Sequence, residues 1–255
     1  MSSNQIIETA ISSLANTMRM YVETHMRFGE LFKVDPEEAI DNLDRTFELK
    51  LEAFHTLYDV SKGLFPYFDH GDTAVLIAVR NAIHHRDHPL FHSLNRRLYL
   101  DTGLDRWRGA SFLLASYPTL HGAPILMSHF VRLDDLDARL DPSYASPYLD
   151  TIARGDKAVR RMKVIDMQLT LPAVRHRGLH DRYPNDQIYL DLMPIFVSAV
   201  CKLFKAMKAA GIAFKGFDAE TYEVPFTSEI EVDLGSPSLK RLWVGGFGPP
   251  VTVDA

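Results

Sequence analysis

The chain has 255 residues, enough for a sizeable core in one large domain or two small ones, and its 46% hydrophobic and 24% charged residues exclude disordered and fibrous classes. Its 28 Lys+Arg against 33 Asp+Glu leave a formal charge of -5, so no global basic field draws it to nucleic acid or an anionic membrane, and any such contact must use local patches. Cys201 is the only cysteine, which excludes an internal disulfide framework and a cysteine-built zinc cluster and points to a reducing cytoplasm.

The N-terminal stretch MSSNQIIETAISSLANTM has no basic region followed by a continuous apolar run, so no secretory leader is expected. Apolar residues recur at Ile7, Ile11, Leu14, Met18, Tyr21 and Phe28, which predicts a first amphipathic helix. Asp35-Pro36-Glu37-Glu38 supplies an N-cap, a proline at the first helical position and acids in the first turn of a second helix. Its stripe runs from Ile40 through Phe47 and Phe54 towards FPYF. Asp69 to Asp72 breaks it, and Asp72 is expected to cap a third helix, TAVLIAVRNAIHH. That helix is apolar on nearly every side up to Arg80, so its first half should be buried and its charged end should emerge at one edge of the bundle.

Pro89 disfavours helix at His88 and suits the first turn of a further helix, PLFHSLNRRLYL. Residues 101 to 144 carry little periodicity, apart from strand character between Pro124 and Leu133 and helical turns in LDDLDARL. Tyr148 to about Met167 reads as helix, and Pro184 to Ala210 as a long buried helix kinked at Pro194, with the polar loop VRHRGLHDRYPND between them. The stretch IYLDLMPIFVSAVCKLF is short for a membrane span and carries Asp191 and Lys202, so no membrane association is expected. Past Gly211 the period changes: Ile230, Val232 and Leu234 alternate with polar residues, and GSPS turns the chain back into LKRLWV, predicting a C-terminal β-hairpin.

The run RNAIHHRDH, Arg80 to His88, concentrates arginine and histidine behind an apolar stretch. That pairing suits metal-independent phosphodiester chemistry, because histidine titrates near neutral pH and arginine stabilises charge developing on phosphorus. On RNA, a histidine could deprotonate the 2′-hydroxyl, and attack on the adjacent phosphate would leave a 2′,3′-cyclic phosphate. Asn81 could hold a phosphate oxygen or orient the arginine.

Arg80-Asn81 followed by His85, with four residues between arginine and histidine, resembles the signature of the HEPN family, over roughly residues 1 to 100. The resemblance implies a short α-helical bundle with the motif late in a helix. It also implies a metal-independent endoribonuclease, commonly a homodimer with two motifs lining one cleft, acting in toxin-antitoxin or phage-defence systems beside an antitoxin or regulatory protein. By that resemblance Arg80 stabilises the transition state, Asn81 assists and His85 is the acid or base. Regular helix geometry sets His84 rather than His85 on the face of Arg80, so His84 stands as the alternative.

Arg86 and the arginines of RHRGLHDR, Arg175, Arg177 and Arg182, are the candidates for contact with an RNA backbone. Three rival readings stand beside catalysis. The HEPN-like fold could serve as a non-catalytic nucleic-acid or protein interaction module, since many HEPN proteins are non-catalytic. His84, His88 and His92, at helical spacing, could hold a metal, although Pro89 interrupts them and no HExxH pattern accompanies them. The charged residues could also simply pair at a helix end. The expectation is a mainly α protein, a HEPN-like up-and-down bundle with additional helices. The helical domain spans 1–215 with its HEPN-like core at about 1–100, a small β-hairpin appendage at 216–255 packs on it, and neither metal nor cofactor is called for.

Overall fold

The computed structural model describes residues 3–84, 89–150, 155–216, 218–246 and 249–254. Helix α1 (Ser3–Val34) and helix α2 (Pro36–Ser61) form a long hairpin joined by Asp35 alone, whose carboxylate caps α2 by accepting from the Glu38 amide at 3.0 Å. Ile7, Ile11, Leu14, Met18 and Tyr21 are buried along one face of α1, and Ile40, Leu43, Phe47, Phe54 and Leu57 along α2, as the apolar spacing requires.

Helix α3 (Gly71–His84) is buried from Gly71 through Val79, so a helix with no polar face in its first half ends up enclosed by its neighbours. Asp72 does not cap it. The carboxylate lies fully buried in the first turn, accepting from the Thr73 amide, from Ser198 Oγ at 2.7 Å and from Lys202 Nζ at 2.6 Å, and it thereby joins α3 to helix α8 (Leu192–Ala209). Helix α6 (Asp156–Gln168) packs closely on the start of α3, where a Cβ on Gly71 would meet the Val164 carbonyl oxygen at 3.1 Å.

The largest departure from the sequence reading is a sheet. Strands β1 (Ser111–Ser116), β3 (Phe130–Arg132), β4 (Ile188–Asp191), β6 (Ser238–Trp243) and β7 (Val251–Asp254) lie in the order β3-β4-β1-β6-β7, with β1 and β4 parallel and the other pairs antiparallel. The parallel pair needs a long crossover, which helices α5 (Leu133–Leu140), α6 and α7 (Leu171–His180) supply. Successive residues of β1 serve two cores: Leu113 and Ala115 join the main core of the helices, while Phe112 and Leu114 meet Tyr189, Leu242, Leu94 and Leu98 on the other face. Both faces are therefore apolar, and SFLLAS shows no polar alternation by which to recognise it.

The long helix expected from Pro184 begins instead at Leu192, because Ile188 to Asp191 pair in the sheet; Pro194 sits in the first turn of α8, where a missing amide costs nothing, rather than at a kink. Asp191 makes the strand-to-helix change by accepting from the Met193 amide at 3.0 Å, from the His129 amide at 2.9 Å and from Ser116 Oγ at 2.9 Å. The segment read as a polar loop at 174–186 is largely α7, with Pro172 in the first turn of that helix. The helix expected from Tyr148 starts at Asp156. The helix expected from Pro89 starts at Leu94 as α4 (Leu94–Arg96), continuing as a π turn (Arg97–Asp101), because Phe91 takes φ +63°.

The C-terminal hairpin is made by β6 and β7, and β6 also pairs along its whole length with β1. Its expected first strand instead contributes β5 (Glu231–Val232), which pairs with β2 (Thr119–His121) in a separate two-stranded sheet. The described residues thus give a mainly helical protein with a five-stranded sheet and a two-stranded one. Among them no helix is long and apolar enough to cross a membrane.

Candidate functional site

Arg80 and Asn81 lie one turn before the end of α3, where the buried run gives way to a half-exposed surface against α2. Arg80 Nη1 donates to Asn81 Oδ1 at 3.4 Å, and its Nε is buried without a hydrogen-bond partner among the described residues. His84, one turn on, is exposed and faces α2, with Nδ1 3.9 Å from Glu52 Oε1. His85, Arg86 and His88 lie outside the described residues, so the arginine–histidine pair is seen here only as Arg80 with His84.

Helix α2 adds a histidine that the sequence reading missed. His55 is mostly buried, with Nδ1 3.3 Å from Asp59 Oδ2 and its ring against Tyr58. Burial lowers its pKa, the positive fields of Arg80 and then His84 act in the same direction, and Asp59 opposes them. A neutral imidazole is thus favoured beside a cation. His55 is one of eleven histidines, distant in sequence from the motif, and only the packing of α2 on α3 assembles the group.

Immediately beyond this cluster a cavity of about 530 Å³ opens between α2 and the chain on either side of α4's start. Ile83 of α3 borders it, as do Leu90, Phe91 and His92. Phe47 and His129 make the floor, stacked with ring centroids 3.6 Å apart and planes 8° from parallel. Asp41, Asp44, Arg45 and Glu48 stand along the α2 wall, with Arg96 opposite. Arg96 pairs with Asp41 at 2.6 Å and Arg45 with Glu48 at 2.8 Å. Asp44 accepts from Ser93 Oγ at 3.0 Å, and burial pushes its carboxyl up to about 7.

The wall is set by a backbone in an unusual conformation. Phe91 is held at φ +63° while its amide donates to Asp135 Oδ2 at 2.9 Å; the same fully buried carboxylate accepts from Arg97 at 3.0 Å and from Arg132 Nε at 2.9 Å. A bulky residue at positive φ persists only where its surroundings over-determine it.

Behind the cavity floor lies a second polar group. Lys50 is fully buried, its amine 3.9 Å from the Tyr21 ring centroid, 4.3 Å from that of Phe196 and 4.6 Å from that of Phe47. It donates to Met193 Sδ, and burial drives its pKa well below the ordinary lysine range. Burial raises Asp191 to about 6, against its hydrogen bonds from the His129 and Met193 amides and Ser116, and lowers His129 to about 3.

The other predicted arginines are not gathered at Arg80. Arg175 is clamped between Asp137 and Asp166, with Nη1 2.9 Å from Asp166 Oδ1, and its donors are largely spent. Arg177 pairs with Asp181 on the surface of α7, and Arg182 follows the helix at φ +60°. His92 bonds Asp101 at 2.8 Å. Among the described residues no group of three His, Cys, Asp or Glu side chains is placed to hold a metal ion, and His88 of the expected trio lies outside them. Compared with family models, curated proteins and solved structures, the chain matches none.

Proposed function

We propose that the protein is a HEPN-like, metal-independent endoribonuclease whose site is the Arg80 cluster. The observation that carries this reading is a half-buried arginine set beside two histidines in different surroundings, His55 mostly buried and His84 exposed. Neutral His55 takes the proton of a ribose 2′-hydroxyl, and the 2′-oxygen attacks the adjacent phosphorus. The 5′-oxygen leaves with a proton supplied by His85, the motif histidine, or by His84. Arg80 stabilises the charge on the non-bridging oxygens, Asn81 orients it, and the products are a 2′,3′-cyclic phosphate and a 5′-hydroxyl. Arg86 and Arg182 remain candidates for backbone contact, and a second copy of the chain would place two such clusters in one cleft.

The test is cleavage of single-stranded RNA in chelator. Arg80→Ala should lower the rate by roughly two to four orders of magnitude, with His55→Ala and His85→Ala each costing about 10²-fold or more. Cleavage that survives Arg80→Ala, or needs added metal, removes the proposal. A non-catalytic interaction module is favoured by one observation: Arg45, Arg96, Arg175 and Arg177 all carry carboxylate partners, so these four are not free charges for a nucleic-acid backbone. Absence of cleavage by the intact protein would favour that module.

A further inference from the structure

One carboxylate lies within reach of the mostly buried histidine of the Arg80 cluster, and the cleavage proposed above gives it no role. Asp59 follows His55 by four residues on α2, so regular helix spacing puts the two side chains on one face. Its Oδ2 lies 3.3 Å from His55 Nδ1. We infer that Asp59 is a positioning residue for this site: it takes the Nδ1–H of His55, which leaves the Nε2 lone pair for the ribose 2′-hydroxyl, and it steadies the imidazolium formed when that proton arrives. The use made of His55 comes from the ribonuclease reading, on which this role rests; the pairing of the two side chains does not depend on it.

The surroundings of the pair are unequal. The His55 side chain is 17% exposed and that of Asp59 54%, so the ring is held by packing while the carboxylate keeps contact with water. The Tyr58 ring stands at 61° to the imidazole with centroids 5.3 Å apart, which restricts rotation of the imidazole and keeps Nδ1 turned to Asp59. Burial disfavours a proton on His55, Arg80 and His84 of α3 add to that effect, and Asp59 opposes it through its charge and its hydrogen bond. A base beside an arginine begins neutral and needs compensation once it is protonated. Asp59 supplies that compensation from the helix that carries His55. Glu52, the other carboxylate of α2 in this cluster, lies 3.9 Å from Nδ1 of the exposed His84 instead. In the cleavage step the proton of the 2′-oxygen goes to Nε2, the Nδ1 proton stays between His55 and Asp59, and none passes to the carboxylate. Solvent screens a half-exposed aspartate, so its loss should cost about tenfold in rate, between the few-fold of an exposed ion pair and the roughly 10⁴-fold of a buried triad aspartate.

The experiment combines histidine ring-nitrogen NMR of the full chain, with the His55 signals assigned through His55→Gln, and pH profiles of kcat/KM for cleavage of single-stranded RNA in chelator. Wild type is compared with Asp59→Ala, Asp59→Asn and Asp59→Glu. Wild-type His55 should carry its proton on Nδ1. Asp59→Ala should lower kcat/KM about tenfold and move the acidic limb of the profile to lower pH, because the group that raises the His55 pKa is gone. Asp59→Asn, whose amide can donate to Nδ1, should shift the proton to Nε2 and cost at least as much. Asp59→Glu should return both the limb and the tautomer towards wild type. An Nε2–H tautomer in the wild type overturns the role of Asp59, as does a loss of rate that leaves tautomer and limb unchanged. Absence of cleavage with the tautomer still set by Asp59 removes the ribonuclease reading and keeps the pairing. Equal cleavage by the wild type and all three variants does the reverse.

Discussion

Asp44 and His129 face the same cavity with opposite titration behaviour, and the pH dependence of stability follows from them. Asp44, raised to about 7, keeps in the folded chain a proton that the unfolded chain releases above roughly pH 4, so its effect is most favourable below that pH and is lost as pH climbs towards 7. Asp191, raised to about 6, acts in the same direction. His129, lowered to about 3, acts in the other: below roughly pH 6.5 the unfolded chain binds a proton that the folded chain excludes, so stability falls as pH drops towards 3. Two raised carboxyls outweigh one lowered imidazole, so urea midpoints should fall as pH rises from about 4 to 6, and below pH 4 His129 alone should make them fall as pH drops. Asp44→Asn should raise the midpoint at pH 8 and leave it unchanged at pH 4; equal effects at both would show that Asp44 is an ordinary carboxylate. Lys50→Met keeps the volume of a buried stem and removes the cost of enclosing an amine, and should stabilise the fold by roughly 1–4 kcal/mol at pH 7 in denaturant titration. None of this was legible in the sequence, where Lys50 sits among ordinary helix residues and His129 reads as an ordinary histidine at a possible strand. Arg80 was legible because a local motif marks it, whereas His55 reaches the same cluster only through helix packing.

Among the elements, the helical hairpin of α1 and α2 was readable because each helix keeps one face wet, and the cap at Asp35 is a local signal. Strands β1 and β4 were not readable, because the sheet is covered on both faces and leaves neither strand an alternating pattern; β4 even joins α8 without a polar break, the single Asp191 serving as both strand end and cap. Helix α3 meets the α6 backbone closely at Gly71 and is tied to α8 through Asp72. Gly71→Val should force the two backbones apart and cost about 1–3 kcal/mol. Asp72→Ala should cost about 2–4 kcal/mol by leaving Ser198 and the half-exposed Lys202 without their acceptor. Both are measured by chemical denaturation, and a change of less than 0.5 kcal/mol in either would mean that α3 is held by its apolar surface alone.

At the scale of the whole molecule, the carboxyl-terminal strands are part of the central sheet, since β6 lies between β1 and β7. Removing residues 235–255 should therefore expose the edge of β1 and give an aggregating chain, whereas a dispensable appendage would leave a soluble protein with an unchanged melting transition. The bundle-plus-hairpin outline was visible in the change of period past Gly211; that the hairpin completes the sheet depends on pairings across more than a hundred residues, which no local pattern encodes. The backbone at Phe91 hangs on the same buried carboxylate as Arg97 and Arg132, so position 135 works as a keystone: a change there gives up three attachments in one step, and the segments that meet at it can be altered only together.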